Sequence, residues 1–133
     1  MKAMIWTLLI ICAVVVGWYW FEGRWDRRLF TTEEGKVCVN LHAPEAKAFL
    51  NSHPETQVLD VRSESEFRGG AVPGAINVSI SDAAFDEKVS KLSKAKPVLV
   101  YCAGGMRSRQ AVERLKALGF ENIQHVHRGY NSW

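Results

Sequence analysis

Two patterns of apolar and polar positions divide the chain. From Ala3 to Phe21 the sequence AMIWTLLIICAVVVGWYWF carries no charge and one hydroxyl, Thr7. Nineteen residues at ~1.5 Å rise make a helix of about 28 Å, close to the ~30 Å hydrocarbon core of a bilayer. Trp6 stands near one end, and Trp18, Tyr19, Trp20, Phe21 and Trp25 near the other, where amphipathic rings favour the membrane interface. A cleaved secretory signal fits less well. The run exceeds the ~7–15 apolar residues of a signal core, and its bulky WYWF end lacks the small residues that signal peptidase reads. Cys12 follows Ile11 rather than a small residue, which argues against lipoprotein processing. A buried core helix would need a partner surface that so short a chain hardly supplies. Residues 1–21 are therefore read as a single-pass anchor that meets the membrane through residues 3–21. Residues 22–36 are read as a juxtamembrane tether.

After residue 36 the period changes. Val37–Leu41, Gln57–Val61, Ala75–Ile80, Val98–Tyr101 and Ile123–His127 are short apolar, β-branched runs that predict five strands. Helical spacing separates them. Pro44 suits a first turn and is followed by Ala46, Ala48, Phe49 and Leu50. Ser63 with Glu66 forms a capping box ahead of Glu64–Arg68. Ser81 is the expected cap of a helix over Asp82–Leu92, where Ala83, Phe85, Val89 and Leu92 are apolar. Gln110–Leu118 is amphipathic and ends at Gly119. Strand and helix alternate throughout, which predicts an α/β domain over residues 37–133, a mostly parallel five-stranded sheet covered on both faces.

Composition narrows the function. The chain has 133 residues and a formal net charge of +3. Residues 1–35 balance four basic against four acidic side chains, so the excess lies on the α/β domain. A mild positive excess suits small anionic ligands and excludes the clustered basic face of a nucleic-acid binder. Three cysteines make no disulfide framework, and no CxxC or HxxxH pair offers a zinc site. Arg24, Arg27 and Arg28 on one flank of the anchor outnumber Lys2 on the other. The positive-inside rule therefore leans the domain to the cytoplasmic side, with a periplasmic placement left open.

The richest chemistry follows the fourth strand, in VLVYCAGGMRSRQAVERL. Cys102 comes directly after the strand, then Gly104 and Gly105, and a helix opens at about Arg107. Ligands bind at the carboxyl ends of strands in open α/β sheets. A Gly-rich loop lets consecutive amides converge into an anion nest, and the helix that follows adds its positive end. Such a nest stabilises the thiolate form of Cys102. Arg107 adds a planar, permanently charged fork suited to oxyanions.

Three stretches together resemble a single-domain rhodanese, a sulfurtransferase module. They are Leu59-Asp60-Val61-Arg62 with Glu66-Phe67, then Gly70-Ala71-Val72-Pro73-Gly74-Ala75-Ile76-Asn77, and Cys102-Ala103-Gly104-Gly105-Met106-Arg107-Ser108, a CxxGxRS loop. The resemblance implies a three-layer fold and a Cys102 nucleophile that becomes a persulfide. It implies that Arg107 and the amides of Ala103, Gly104, Gly105 and Met106 hold the donor, with Asp60, Arg62, Glu66 and Ser108 in support. The bland reading of Asp60, Arg62 and Glu66, an ion-pair network under the loop, is preferred. The implied partners are a sulfur donor, thiosulfate or a persulfide, and a thiol or cyanide acceptor; no metal or organic cofactor is implied.

Four residues separate Cys102 from Arg107, whereas phosphatases and arsenate reductases that resemble rhodaneses carry one more. Sulfur transfer is thereby favoured over phosphate hydrolysis, and a silent interaction module remains the rival from another class. Two departures stand out. Ala71 occupies the usual His of the "GHIPGA" stretch, and Arg128 the first Gly of the "GG…W" ending, where it either adds a cation to the pocket or faces solvent. His42, His53, His125 and His127 match no catalytic position and are expected at surfaces or turns. Cys38 is expected to be a buried strand residue, and Met106 part of the pocket rim.

Overall fold

In a computed structural model the protein is described over residues 1–33 and 35–133; Glu34, in the expected tether, lies outside them. The chain forms two compact units, Met1–Phe30 and Thr31–Trp133.

The first unit is one helix, α1 (Lys2–Leu29). It runs on through most of the segment read as a tether. Neighbours one turn apart support that extension: Arg24 sits 4.6 Å over the Trp20 ring, and the Phe21 and Trp25 rings lie 6.0 Å apart. Arg27 and Arg28 occupy the last turn, where positive charge complements the helix dipole. Met4–Leu29 is long and apolar enough to cross a membrane, as a span or as a signal sequence. From Met4 to Phe21 its side chains are exposed all round, Ile10, Val14 and Val16 among them, while Leu29 in the last turn is buried.

The second unit is a sheet flanked by helices. Its elements run β1 (Thr32–Glu33), β2 (Lys36–Leu41), α2 (Ala43–Ser52), β3 (Gln57–Asp60), α3 (Glu64–Arg68), β4 (Ile76–Asn77), α4 (Phe85–Val89), β5 (Val98–Tyr101), α5 (Met106–Ala117) and β6 (Asn122–Val126), closed by a 3₁₀ turn at Gly129–Ser132. The strand order is β1-β2-β6-β5-β3-β4. The sheet thus has six strands where five were expected. The extra strand, β1, pairs antiparallel with β2, Thr32 opposite Val37, while the other pairings are parallel. Two exposed residues carry no periodicity, so the sequence gives β1 no signal.

β5 is buried along its whole length, which explains its unbroken apolar run. Side chains alternate across it. Leu99 and Tyr101 join Ala46 of α2, Val58, Val72 and Val126 in one core cluster. Val98 and Val100 face the opposite side, and Cys102 continues their row just past the strand's carboxyl end. α4 is shorter than the expected Asp82–Leu92, and Ser81 does not cap it. The Asp82 carboxylate instead accepts the amide of Ala84 at 2.8 Å, a local turn that delays the helix until Phe85. β4 is likewise short, because Val78 and Ile80 leave the ladder to donate to Asp60 O and Val61 O.

Candidate active site

Cys102 is 1% exposed. The amide of Gly105 donates to its sulfur at 3.1 Å, and the hydroxyl of Ser108 does so at 3.4 Å. Gly105 holds a φ of 104°, and a Cβ there would stand 2.4 Å from the carbonyl oxygen of His127. Only glycine brings that amide onto the sulfur. α5 opens at Met106 without a side-chain cap, so its first amides keep their hydrogens directed back at the loop. Gly104 and Met106 are exposed at the rim, and Ala103 is half-buried.

Arg107 reaches Glu66 with both arms of its fork, Nη1 to Oε2 at 2.7 Å and Nη2 to Oε1 at 2.8 Å. Glu66 is fixed in turn by the amide and hydroxyl of Ser63, at 3.0 and 2.9 Å. The guanidinium, then Ser63, holds the Glu66 carboxyl far below the usual carboxylate range. Arg107 is driven upward, first by Glu66 and further by the nearby Cys102 sulfur. The structure therefore places Arg107 beside the sulfur with its fork already engaged.

Asp60 and Arg62 serve the frame beneath the loop. Arg62 Nη2 lies 2.7 Å from Asp60 Oδ2 and 2.7 Å from the carbonyl of Gly70, and its guanidinium stacks 4.3 Å from the Tyr130 ring centroid. Asp60 is paired in register with Tyr101, the residue before Cys102. The pair is buried, so breaking it would leave an uncompensated charge.

The sequence reading places the closing stretch, residues 127–133, by its resemblance to the "GG…W" ending and gives only Arg128 in it a role. Gly129 has a φ of 58°, and a Cβ there would come within 2.2 Å of the Cys102 carbonyl oxygen. The next two amides, Tyr130 and Asn131, donate to the carbonyls of Cys102 and Ala103 at 2.8 and 3.0 Å. The closing turn thus clamps the base of the loop. Arg128 beside it is exposed.

His125 is the larger correction. Expected at a surface or turn, it is fully buried in β6, with Nε2 2.7 Å from Ser108 Oγ and Nδ1 2.8 Å from Asn40 Oδ1. Strand parity was its available signal, since His125 shares a face with buried Ile123. His42 is exposed, while His53 and His127 are half-buried. Cys38 is buried as expected, and burial pushes its thiol up to about 11 against the opposing effect of Lys116. Among the described residues no cluster of three or more His, Cys, Asp or Glu side chains is placed to hold a metal.

A buried cysteine on a glycine loop at the mouth of a parallel sheet defines the class. Residues 42–133 match the rhodanese-like domain family, and the chain belongs to that family. It is 35% identical over 120 residues to thiosulfate sulfurtransferase 18 of Arabidopsis thaliana, an alignment covering 81% of this chain and 87% of the relative. It is 31% identical over 85 residues to the uncharacterized protein YqhL of Bacillus subtilis, covering 64% of this chain and 66% of that one. The crystal structure of a rhodanese-related protein from Thermoplasma volcanium superposes with a TM-score of 0.62 at 35% identity, covering 71% of this chain and 88% of that one.

Proposed function

We propose that the protein is a membrane-anchored sulfurtransferase that moves a sulfane sulfur from thiosulfate or a related donor to a thiol or cyanide acceptor. The observation that carries this reading is the Gly105 amide on the buried Cys102 sulfur, at the uncapped head of α5. An anion at that position meets amide hydrogens fixed before the reaction begins.

The Cys102 thiolate attacks the outer sulfur of thiosulfate. A new S–S bond forms, the bond between the two donor sulfurs breaks, and its electron pair leaves with sulfite. The terminal sulfur of the persulfide now carries the negative charge, within reach of the loop amides. An acceptor thiolate then attacks that terminal sulfur, and the electron pair of the S–S bond returns to Cys102. Two covalent half-reactions give ping-pong kinetics. Arg107 draws the anionic donor inward while its fork remains braced on Glu66. Only four residues, Ala103 to Met106, separate Cys102 from Arg107, and so short a loop supports sulfur transfer over phosphate hydrolysis.

Mass spectrometry of the full chain in detergent micelles tests the reading. Incubation with thiosulfate should add one sulfur mass to the wild type and none to Cys102→Ser. No adduct with any sulfane donor would sink sulfur transfer and favour the interaction module. Residues 1–21 are proposed as a span with the domain on the cytoplasmic side, because Arg24, Arg27 and Arg28 follow it. A reporter fused after Trp133 that is active only in the periplasm would reverse that placement.

A further inference from the structure

A chain of polar groups leads from the reactive sulfur into the sheet. Cys102 Sγ lies 3.4 Å from Ser108 Oγ, and Ser108 Oγ lies 2.7 Å from His125 Nε2. His125 Nδ1 lies 2.8 Å from Asn40 Oδ1, and Asn40 Nδ2 lies 2.9 Å from His127 Nδ1. The members come from β2, the loop after β5, α5, β6 and the residue that follows β6. Strand register supplies the alignment: Asn40 of β2 is paired with His125 of β6, and His125 with Val100 of β5, two residues before Cys102.

The geometry points to His125 as the proton acceptor for Cys102, acting through Ser108 and oriented by Asn40. The inference rests on Cys102 being the nucleophile. Hydrogen accounting carries it. Asn40 presents its carbonyl oxygen to His125, so Nδ1 of that ring bears a hydrogen and the neutral ring offers Nε2 as an acceptor. The one hydrogen of Ser108 has three acceptors in reach, Nε2 at 2.7 Å, the Gly105 carbonyl at 3.1 Å and the sulfur at 3.4 Å. With the sulfur protonated, the thiol donates to Ser108 and Ser108 donates to Nε2, the nearest of the three. When the thiol ionises, its proton passes to Ser108 Oγ and the serine's own hydrogen passes to Nε2. Ser108 then donates to the thiolate and accepts from the imidazolium. Every member keeps a partner in both states, and no proton enters or leaves the chain. A nucleophile, a base and a group orienting the base are the elements of a triad, with a hydroxyl interposed.

Charged groups on the neighbouring elements complete the setting. On the α5 side of the sheet the buried cation is Arg109, whose Nη1 donates to the carbonyl of Gly105 at 3.2 Å. Farther along α5 stand Glu113, Arg114 and Lys116, with Arg114 paired to Asp86 and Lys116 acting on Cys38 of β2. Arg107 is held by Glu66. His127 meets the network through Asn40 and stands edge-on to His42 at 4.9 Å. The α2 side carries Glu45 and Lys47, both exposed.

Alkylation tests this without requiring sulfur transfer. The full chain in micelles is treated with iodoacetamide between about pH 6 and 10, and modification is read at the Cys102 peptide. In His125→Gln and in Ser108→Ala the rate at neutral pH should fall by about tenfold or more, the lower end of what a positioned base supplies. It should recover toward the wild-type rate at the alkaline end, where hydroxide removes the proton. Two results overturn the inference: a wild-type rate at neutral pH, or a deficit of the same factor at every pH, which marks lost geometry alone. Ser108→Ala keeps the test open if His125→Gln fails to fold. A missing sulfur adduct in the wild type would sink sulfur transfer and leave this alkylation profile standing.

Discussion

Replacing Gly129 with alanine gives a sharp test of how the closing turn holds the nucleophile. The new Cβ would stand 2.2 Å from the carbonyl oxygen of Cys102 and 2.7 Å from that of Ala103, both backbone atoms that cannot swing aside. The φ of 58° alone costs an L-residue about 1–2 kcal/mol. Relief of the contact requires the turn to retreat, which weakens the hydrogen bonds from Tyr130 and Asn131 to those carbonyls. Each such bond contributes about 1 kcal/mol net. The entropy alanine removes from the unfolded chain offsets about 0.5–1 kcal/mol. The expected loss is therefore about 3 kcal/mol, which lowers the melting temperature of a domain of about 100 residues by more than ~10 °C. Gly104→Ala is the control, since its Cβ would meet nothing within 4 Å. It should stay within ~0.5 kcal/mol of wild type. Thermal melting followed by near-ultraviolet circular dichroism measures both. If the two variants melt together, the closing turn does not clamp the loop.

Three further outcomes follow from the site. Glu66→Gln removes a carboxyl held below its ordinary range of ~4.3, so the ion pair stabilises fully above that range and the contribution disappears as the pH falls beneath it. With the pair partly exposed, the gap to wild type should be under about 1 kcal/mol at neutral pH and close on acidification; a gap constant with pH contradicts the pairing. Arg107→Ala should weaken thiosulfate more than an uncharged persulfide donor, measured as kcat/KM, and equal losses would remove Arg107 from donor binding. Iodoacetamide at neutral pH should label Cys102, whose sulfur accepts the Gly105 amide, well before Cys38, whose thiol burial pushes up to about 11; comparable labelling would contradict the raised Cys38 thiol.

What the sequence discloses about this domain is what lies close together along the chain. The CxxGxRS loop, the Ser63–Glu66 capping box and the apolar run of β5 are each complete within a few residues, and each appears in the structure as expected. What it conceals depends on register. His125 is one polar residue in an apolar strand until β2 brings Asn40 alongside it and α5 lays Ser108 over it. Gly129 follows an atypical Arg128, and its necessity shows only when Cys102 O is placed against it. Asp82–Leu92 failed in the other direction. Its apolar spacing is helical, but the Asp82 side chain captures the Ala84 amide and shortens the helix from its start. Glu66 was legible as a cap residue, while its grip on Arg107 spans 41 positions of sequence.

Burial of Cys102 bears on how sulfur is received and passed on. At 1% exposure the thiol is buried, while Gly104 and Met106 of its loop are exposed and Gly104 carries no side chain. A slender donor whose terminal sulfur leads, such as thiosulfate, meets that geometry better than a donor whose reacting sulfur lies within a bulky group. In the proposed cycle the transferred sulfur sits ~2.05 Å beyond Sγ, within reach of the loop amides. The acceptor in that cycle has to bring its own sulfur to the loop, because a nucleophile 1% exposed at the end of a buried strand does not come out to meet it.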